Sequence, residues 1–509
     1  MKRALTADEM REVEASAVVH GTSLTVLMEN AGDALAKEAL RHASREGRFL
    51  ILCGPGNNGG DGLVAAKTLA AAKRTVFVES LVTVEALRED PAKHARALRD
   101  LGVAVAPIPQ SVRVEPGDVV IDALLGIGLS RASEAAMAEA IGRIGKWREA
   151  GAKVVSADLP SGLQSDSGAP LGPHVTADFT VAFGFLKRAH LVEPGASICG
   201  QTQVVDIGIP RGTESVLTDS SVNLTEEPEI RARFRARAAN SHKGSYGHLL
   251  VIAGSQGKTG AAALVAQAAL RTGVGLVTVA TRADALSSVM HHAPEMMGLA
   301  LTSTGPLGPA DLNALLEAAD GKTAVVFGPG IARGDETVKL ISAFLEELRV
   351  PCVLDADALN AIAAQPDVLK KAKGELLLTP HPGEMARLIG ATTEQINAAR
   401  IETAQKFAVT NQIVIALKGA RTVIAREDGA VFVNPTGNPG MATGGTGDVL
   451  AGICGALLAQ GFSSEDAAIA GVYVHGLAGD LAAAITGQRG LIASDLIAQL
   501  GSLWAKWHL

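Results

Sequence analysis

The chain has 509 residues, 47% of them hydrophobic and 19% charged, with a formal net charge of −7. That is enough apolar material for two or more domains with substantial cores, and the acidic balance offers nothing global to nucleic acid or an anionic membrane. Cys53, Cys199, Cys352 and Cys454 are far apart with no CxxC pair, which excludes a disulfide framework or zinc site and reads as buried thiols in a reducing, cytoplasmic compartment.

At the N-terminus Asp8, Glu9, Arg11, Glu12 and Glu14 interrupt any signal-peptide core, and no apolar run approaches the ~20 residues of a membrane helix. Strands are predicted at 48–54, 75–79, 119–124 and 153–158 in the first half. In the second half they fall at 248–253, 275–280, 324–327, 352–355, 375–379 and 413–417. Ala-rich helical stretches such as 62–72 and 260–271 lie between them. This alternation implies βαβ units and parallel sheets covered by helices, so the fold class is α/β. Ligand sites in such folds lie at the carboxyl ends of strands, where nearly every Gly/Asp motif here falls.

The first motif is Cys53-Gly54-Pro55-Gly56-Asn57-Asn58-Gly59-Gly60-Asp61-Gly62. It contains a G-x-G-x-x-G, with Glu79 about twenty residues on, the pattern of a dinucleotide fingerprint. Asn57, Asn58 and Asp61 make the loop more polar than a pyrophosphate requires; they suit a ribose, an amide-bearing ring or a cation. Asp122 to Arg131 (DALLGIGLSR) and Asp158-Leu159-Pro160-Ser161-Gly162 end two further strands. Either alone reads as a turn with a capping Asp, but three such loops from one sheet point to a shared site. Lys187, after another strand, reads as a catalytic acid, a phosphate contact or an exposed surface lysine. Between 211 and 243 the pattern weakens, and 213–228 is polar and acidic without apolar periodicity, which places the domain junction there. The arginines of 231–237 read as a solvated face.

In the second half, Gly254 to Gly260 (GSQGKTG) looks like a Walker A loop but has Ile252 where glycine is required, which disfavours a P-loop NTPase. Gly328-Pro329-Gly330, Asp355 to Asn360 and Thr379 to Glu384 each end an apolar run. His381, held between prolines, reads as a ligand contact; Glu384 reads as a helix-start residue or a Mg²⁺ holder through water. Lys418 to Thr422 offers cations and open backbone to a nucleotide phosphate. His475 and Asp480 read as packing and capping groups. Most informative is Asn438 to Asp448 (NPGMATGGTGD), which opens an apolar helix. Its glycines let N–H groups converge on an anion at a helix N-terminus, and its single carboxylate reads as a base beside that anion. Asp448 taking a proton from a hydroxyl while Gly444 to Gly447 hold a phosphoryl group fits phosphoryl transfer. A kinase and a kinase-like dehydratase both remain open on these grounds.

These motifs together resemble the bifunctional NAD(P)H-hydrate repair enzymes. GPGNNGGDG, DALLGIGLSR and DLPSG are similar to the epimerase half; SHKGSYGHLLVIAGS, LDADALN, LTPHPGEMARL, LKGART and GNPGMATGGTGDVLAGI are similar to the dehydratase half. The resemblance implies an N-terminal Rossmann-like αβα sandwich over 1–215 and a ribokinase-like α/β domain over 225–509. It implies epimerisation of R and S NAD(P)HX, then ADP-dependent dehydration of the S form to NAD(P)H, giving AMP and phosphate. Carried across, Asn57, Asn58, Gly59, Gly60, Asp61, Gly126, Ile127, Gly128, Leu129, Ser130, Arg131, Ala132 and Asp158 contact the hydrate in the first domain. Asn58, Asp122 and Ser161 hold K⁺, and Asp158 and Lys187 are the proton-transfer candidates. In the second domain Ala261, Gly330, His381 and Asp448 meet the hydrate. Lys418, Gly419, Ala420, Arg421 and Thr422, with Gly444, Gly445, Thr446 and Gly447, take the adenine nucleotide, with Mg²⁺. The expected partners are the small molecules NAD(P)HX and ADP, with the chain a homo-oligomer and neither nucleic acid nor membrane involved. The rival readings are a small-molecule kinase fused to a Rossmann dehydrogenase, and a non-catalytic sensing N-domain.

Overall fold

A computed structural model describes residues 2–109, 112–132, 135–217, 222–332 and 334–509. The chain divides into two compact units, Lys2–Val222 and Asn223–Leu509.

The N-terminal unit holds a six-stranded parallel sheet. Its order is Val76–Ser80, Phe49–Cys53, Val119–Ala123, Lys153–Ala157, Phe179–Phe183 and Gln201–Val205. Phe49–Cys53 (FLILC) and Val119–Ala123 (VVIDA) are buried along their whole length, as strands covered on both faces must be. Alternate residues serve opposite faces. Phe49, Ile51, Val119 and Ile121 pack with helices Leu24–His42 and Asn57–Ala71, while Leu50, Leu52 and Val120 pack with Ile141 and Ile144 of helix Ala135–Glu149. The sheet is therefore the middle of an αβα sandwich. Strand order reverses between Phe49–Cys53 and Val119–Ala123, which opens a crevice at their carboxyl ends.

Two expectations are corrected here. The helix predicted from Gly62 begins at Asn57, because the glycines let it start against the strand end: a Cβ on Gly59 would lie 2.0 Å from the Gly54 carbonyl oxygen. Asn57 to Asp61 are thus first turns of a helix and not an open loop. Glu79 does not read a ribose; its carboxylate accepts from the Ile108 N–H at 2.8 Å and from Arg143 at 2.6 Å.

The C-terminal unit is built on parallel strands in the order Met297–Leu301, Leu276–Arg282, His248–Ile252, Ala324–Phe327, Cys352–Leu354, Leu376–Leu378 and Val414–Leu417. Val423–Ala425 and Val431–Val433 continue it antiparallel. Helices Thr446–Ala459, Ser464–Thr486 and Ala493–Trp507 share one large apolar cluster with one face of the sheet. On the other face Phe327 meets Phe344 of helix Thr337–Glu347 edge-on at 5.7 Å. Here the order reverses between His248–Ile252 and Ala324–Phe327.

Contrary to the hydropathy reading, one helix, Ser464–Thr486, is long and apolar enough to cross a membrane by length and composition. Its residues are mostly buried against its neighbours, so it is a core helix. All four cysteines are buried and none is in a disulfide. Of the 231–237 arginines, Arg233 pairs with Asp466 at 2.7 Å and Arg237 lies over the Tyr246 ring at 4.0 Å.

Candidate active sites

At the N-terminal crevice, Asn57, Asn58, Asp61, Gly126, Ile127, Asp158 and Lys187 line one cavity of about 350 Å³. Four strand ends deliver them. Asp158 sits in the turn after Lys153–Ala157 with φ of +61°, a left-handed conformation that an ordinary residue adopts only when the surroundings enforce it. The surroundings do so here. Its N–H donates to the Val181 carbonyl, and its carboxylate accepts from the Phe183 N–H at 3.0 Å and from the Lys187 ammonium. Its own carbonyl accepts from His190 Nε2 at 2.9 Å.

Lys187 is not a surface lysine. Its side chain is 0% exposed, and its three N–H groups go to Asp158 and to the carbonyls of Phe183 and Phe185, each carbonyl at 3.1 Å. That uses its full donor capacity. The Lys187 N–H donates to His190 Nδ1, so His190 carries its proton on Nε2. Burial, with the Lys187 charge adding, pushes its pKa down to about 4.

Asp122, Ser161 and Asn58 come together around the Leu125 backbone. The fully buried Asp122 carboxylate accepts from the Ser161 N–H at 2.8 Å, the Ser161 hydroxyl at 2.5 Å and the Ser156 hydroxyl at 2.9 Å. The Leu125 N–H donates to Ser161 Oγ, and Asn58 donates to the Leu125 carbonyl, both at 2.9 Å. Burial raises the Asp122 pKa against those hydrogen bonds. Burial also lifts Asp61 well above the carboxylate range, with Asp158 and Glu14 adding. Gly59 and Gly60 are buried in the helix behind this wall, whereas Gly128, Ser130, Arg131 and Ala132 continue outward on exposed loop.

In the C-terminal unit Lys418 ends strand Val414–Leu417. Its ammonium sits 2.7 Å from Asp355 and 3.9 Å from Glu384. Burial opposes that charge, but the carboxylates hold its pKa above the ordinary lysine value. Gly447 faces it: a Cβ there would lie 3.3 Å from Lys418 Nζ. The two loops expected at the nucleotide therefore meet. Gly445, with φ of +90°, caps helix Thr446–Ala459, and Asp448 lies in its first turn. Burial, then the nearby Asp355 charge, pushes Asp448 up to about 7, with Lys418 opposing. Ala261 and Gly330 are neighbours, a Gly330 Cβ falling 2.8 Å from that of Ala261. His381 caps helix Pro382–Ile389, accepting on Nδ1 from Gly383 and Glu384 N–H groups, and stays half-exposed. Glu384 closes the reciprocal cap on the His381 N–H at 2.8 Å, the helix-start role of its two readings. Lys258 reaches Asp357 at 3.0 Å.

Residues 24–189 match the family model for YjeF-related protein N-terminus, and residues 249–501 the model for NAD(P)H-hydrate dehydratase. The bifunctional NAD(P)H-hydrate repair enzyme of Moorella thermoacetica is 42% identical over 488 residues, covering 93% of this chain and 91% of that one. The chain belongs to the bifunctional NAD(P)H-hydrate repair enzymes. The same enzyme of Escherichia coli K12 is 36% identical across 97% of this chain and 92% of its own length. A ribokinase-like superfamily protein of Enterococcus faecalis V583 shares 25% identity and a TM-score of 0.50, covering 56% of this chain and 96% of that one. The C-terminal unit thus has the ribokinase-like fold and carries the dehydratase; the N-terminal unit is Rossmann-like and carries the epimerase.

In this repair enzyme several site residues escape motif reading. Glu14, Met10 and Arg88 line the N-terminal cavity from segments with no Gly/Asp signature. Buried Arg400 donates to the carbonyls of Leu417 at 2.9 Å and Lys418 at 3.2 Å and so shapes the loop that begins at Lys418. His475 and Asp480, expected to pack and cap, both hold the segment that leads into helix Thr446–Ala459. His475 Nε2 donates to the Thr446 carbonyl at 2.8 Å, while Asp480 accepts from the Gly437 N–H and the Asn438 amide, both at 2.9 Å.

Proposed function

We propose that residues 1–215 epimerise the hydrate at the Asp158–Lys187 cavity, and that residues 225–509 dehydrate it with ADP at Asp448. The observation that carries this reading is Asp448: a carboxyl titrating near neutrality at the start of a helix whose N–H groups are free to meet an anion. Ionised Asp448 takes the proton of the C6 hydroxyl as that oxygen attacks the β-phosphorus of ADP. The N–H groups of Gly444 to Gly447 and the Lys418 ammonium stabilise charge on the migrating phosphoryl group, and AMP departs. Phosphate is then a competent leaving group, and its loss with a C5 proton restores the dihydronicotinamide. Ala261, Gly330 and His381 seat the hydrate; Lys418 to Thr422 and Gly444 to Gly447 seat the nucleotide.

Among Asp355, Asp357 and Glu384, each carboxylate already faces a lysine. They fit Mg²⁺ carried in on the nucleotide phosphates and met through water, the usual habit of that ion. Bound there, Mg²⁺ neutralises phosphate charge. In the first domain a buried carboxylate, Asp122, has hydroxyl and N–H partners and no cationic one among the described residues. With Asn58 and Ser161 it offers hard oxygen donors that fit K⁺, and K⁺ held there would supply fixed positive charge. The protein works as a homo-oligomer in the cytoplasm.

The test is recovery of absorbance at 340 nm from mixed R/S NADHX with ADP and Mg²⁺. Wild type should recover all of it, Asp158→Asn only the S fraction promptly, and Asp448→Asn neither. Full recovery by Asp448→Asn defeats the dehydratase assignment.

A further inference from the structure

Epimerisation inverts one carbon, C6 of the hydrated ring. It needs a proton donor where hydroxyl leaves and an acceptor where oxygen returns. Asp158 supplies one such group, and a second carboxyl reaches the same cavity from an element that no motif marks. Glu14 lies on helix Ala7–Val19, where Met10, Val13 and Ala17 are buried as packing and Asp8 and Glu9 are engaged by Arg11 and by the helix cap. Glu14 instead lines the cavity with Asp61, Ile127, Asp158 and Lys187, and among the described residues its carboxyl has no hydrogen bond or ion pair. A half-buried carboxyl on a cavity wall without such a partner is costly, and a substrate supplies the partner.

The geometry points to Glu14 as the second proton-transfer residue of the epimerase, its carboxylic acid protonating the departing C6 hydroxyl while Asp158 serves the incoming water. This rests on the assignment of the cavity to the hydrate. The C6–O bond breaks, the hydroxyl leaves as water with the Glu14 proton, and the N1 lone pair forms an N1=C6 double bond. Water then attacks C6 from the other ring face; the new C6–O bond forms, its extra proton passes to Asp158, and the π pair returns to N1. One water leaves and one enters, so no oxidant or reductant is required. Exchange with solvent resets both carboxyls.

The surroundings favour a protonated Glu14. Burial raises its pKa and Asp158 adds, with Lys187 and Arg11 opposing. Asp61, itself shifted upward, shares the wall, and Arg88, Glu89 and Asp90 stand on the same lining. A step that uses the acid form slows as pH rises through that pKa.

The full-length protein is given mixed R/S NADHX, ADP and Mg²⁺, and NADH recovery is followed. The prompt phase reports the S form and the later phase reports conversion of R. In Glu14→Gln the later phase should fall by about 100-fold or more toward the uncatalysed rate and lose the alkaline decline seen in wild type. The thermal midpoint and prompt phase should hold. Glu14→Asp, which keeps the acid, should retain both the phase and its alkaline decline, and it stands in if Glu14→Gln does not fold. A Glu14→Gln later phase within threefold of wild type overturns the proposal, as does a slowed phase that keeps the wild-type pH profile. A wild type no faster than the uncatalysed rate removes the cavity assignment itself; an active wild type beside an unaffected Glu14→Gln removes only the role of Glu14.

Discussion

Replacing Asp448 by Asn should make the C-terminal unit more stable while abolishing its chemistry. The carboxyl is displaced from 3.8 to about 7, and at pH values above both this corresponds to about 4 kcal/mol. Some solvent access at the site trims the figure to about 2–4 kcal/mol. Because the folded-state pKa is the higher one, the folded unit binds the extra proton. Stability from this group is therefore present below the unfolded value near 4 and is lost as pH rises through about 7. Asp448→Asn should gain the full amount at pH 8 and only about 1 kcal/mol at pH 5. The rate runs the other way, since the base must be ionised: dehydration should reach half its plateau near pH 7 and about a tenth near pH 6. Calorimetry at the two pH values and NADH recovery from S-NADHX measure both sides. The reasoning fails if Asp448→Asn gains nothing at pH 8, or if the wild-type rate has its acid limb near pH 4.

Lys187→Met leaves Asp158 buried without its cation, and should lower N-terminal unit stability by about 3–5 kcal/mol in urea titrations while eliminating epimerisation; Lys187→Met/Asp158→Asn should recover part of that stability. Gly54→Ala places a Cβ 1.8 Å from the Leu124 carbonyl oxygen, so the crevice must spread at a cost of about 3 kcal/mol, visible as a lowered melting point with the dehydration phase retained. Potassium chloride should raise the melting point of the N-terminal unit more than tetramethylammonium chloride does. Ser161→Ala should erase that difference.

The α/β class and the strand-end motifs were legible because parallel strands read as continuous apolar runs and because glycines cluster where backbone must approach a ligand. Asp158, Lys418 and Asp448 were each visible beside such a run. The sequence leaves Lys187 between a surface and a functional role, since its burial depends on two carbonyls and a carboxylate that only the turn after Phe183 assembles. Glu79 matched a fingerprint spacing, yet Arg143 on a distant helix claims it. Glu14 and Arg400 carry no local signature at all: each is one charged residue on an ordinary amphipathic helix, and only the docking of that helix turns it toward a site.

Helix Ser464–Thr486 sits in the apolar core, yet His475, Gly476, Gly479 and Asp480 fall on one side of it, all against the segment from Thr436 to Thr446. His475 and Asp480 hold that segment by hydrogen bonds. Gly476 and Gly479 admit it so closely that added Cβ atoms would meet Thr436 Oγ1 at 2.2 Å and Met441 Sδ at 2.3 Å. The helix is a splint for the segment from Thr436 to Thr446, set in the apolar core of the unit. Small substitutions on this side should therefore register as misaligned chemistry before they register as unfolding.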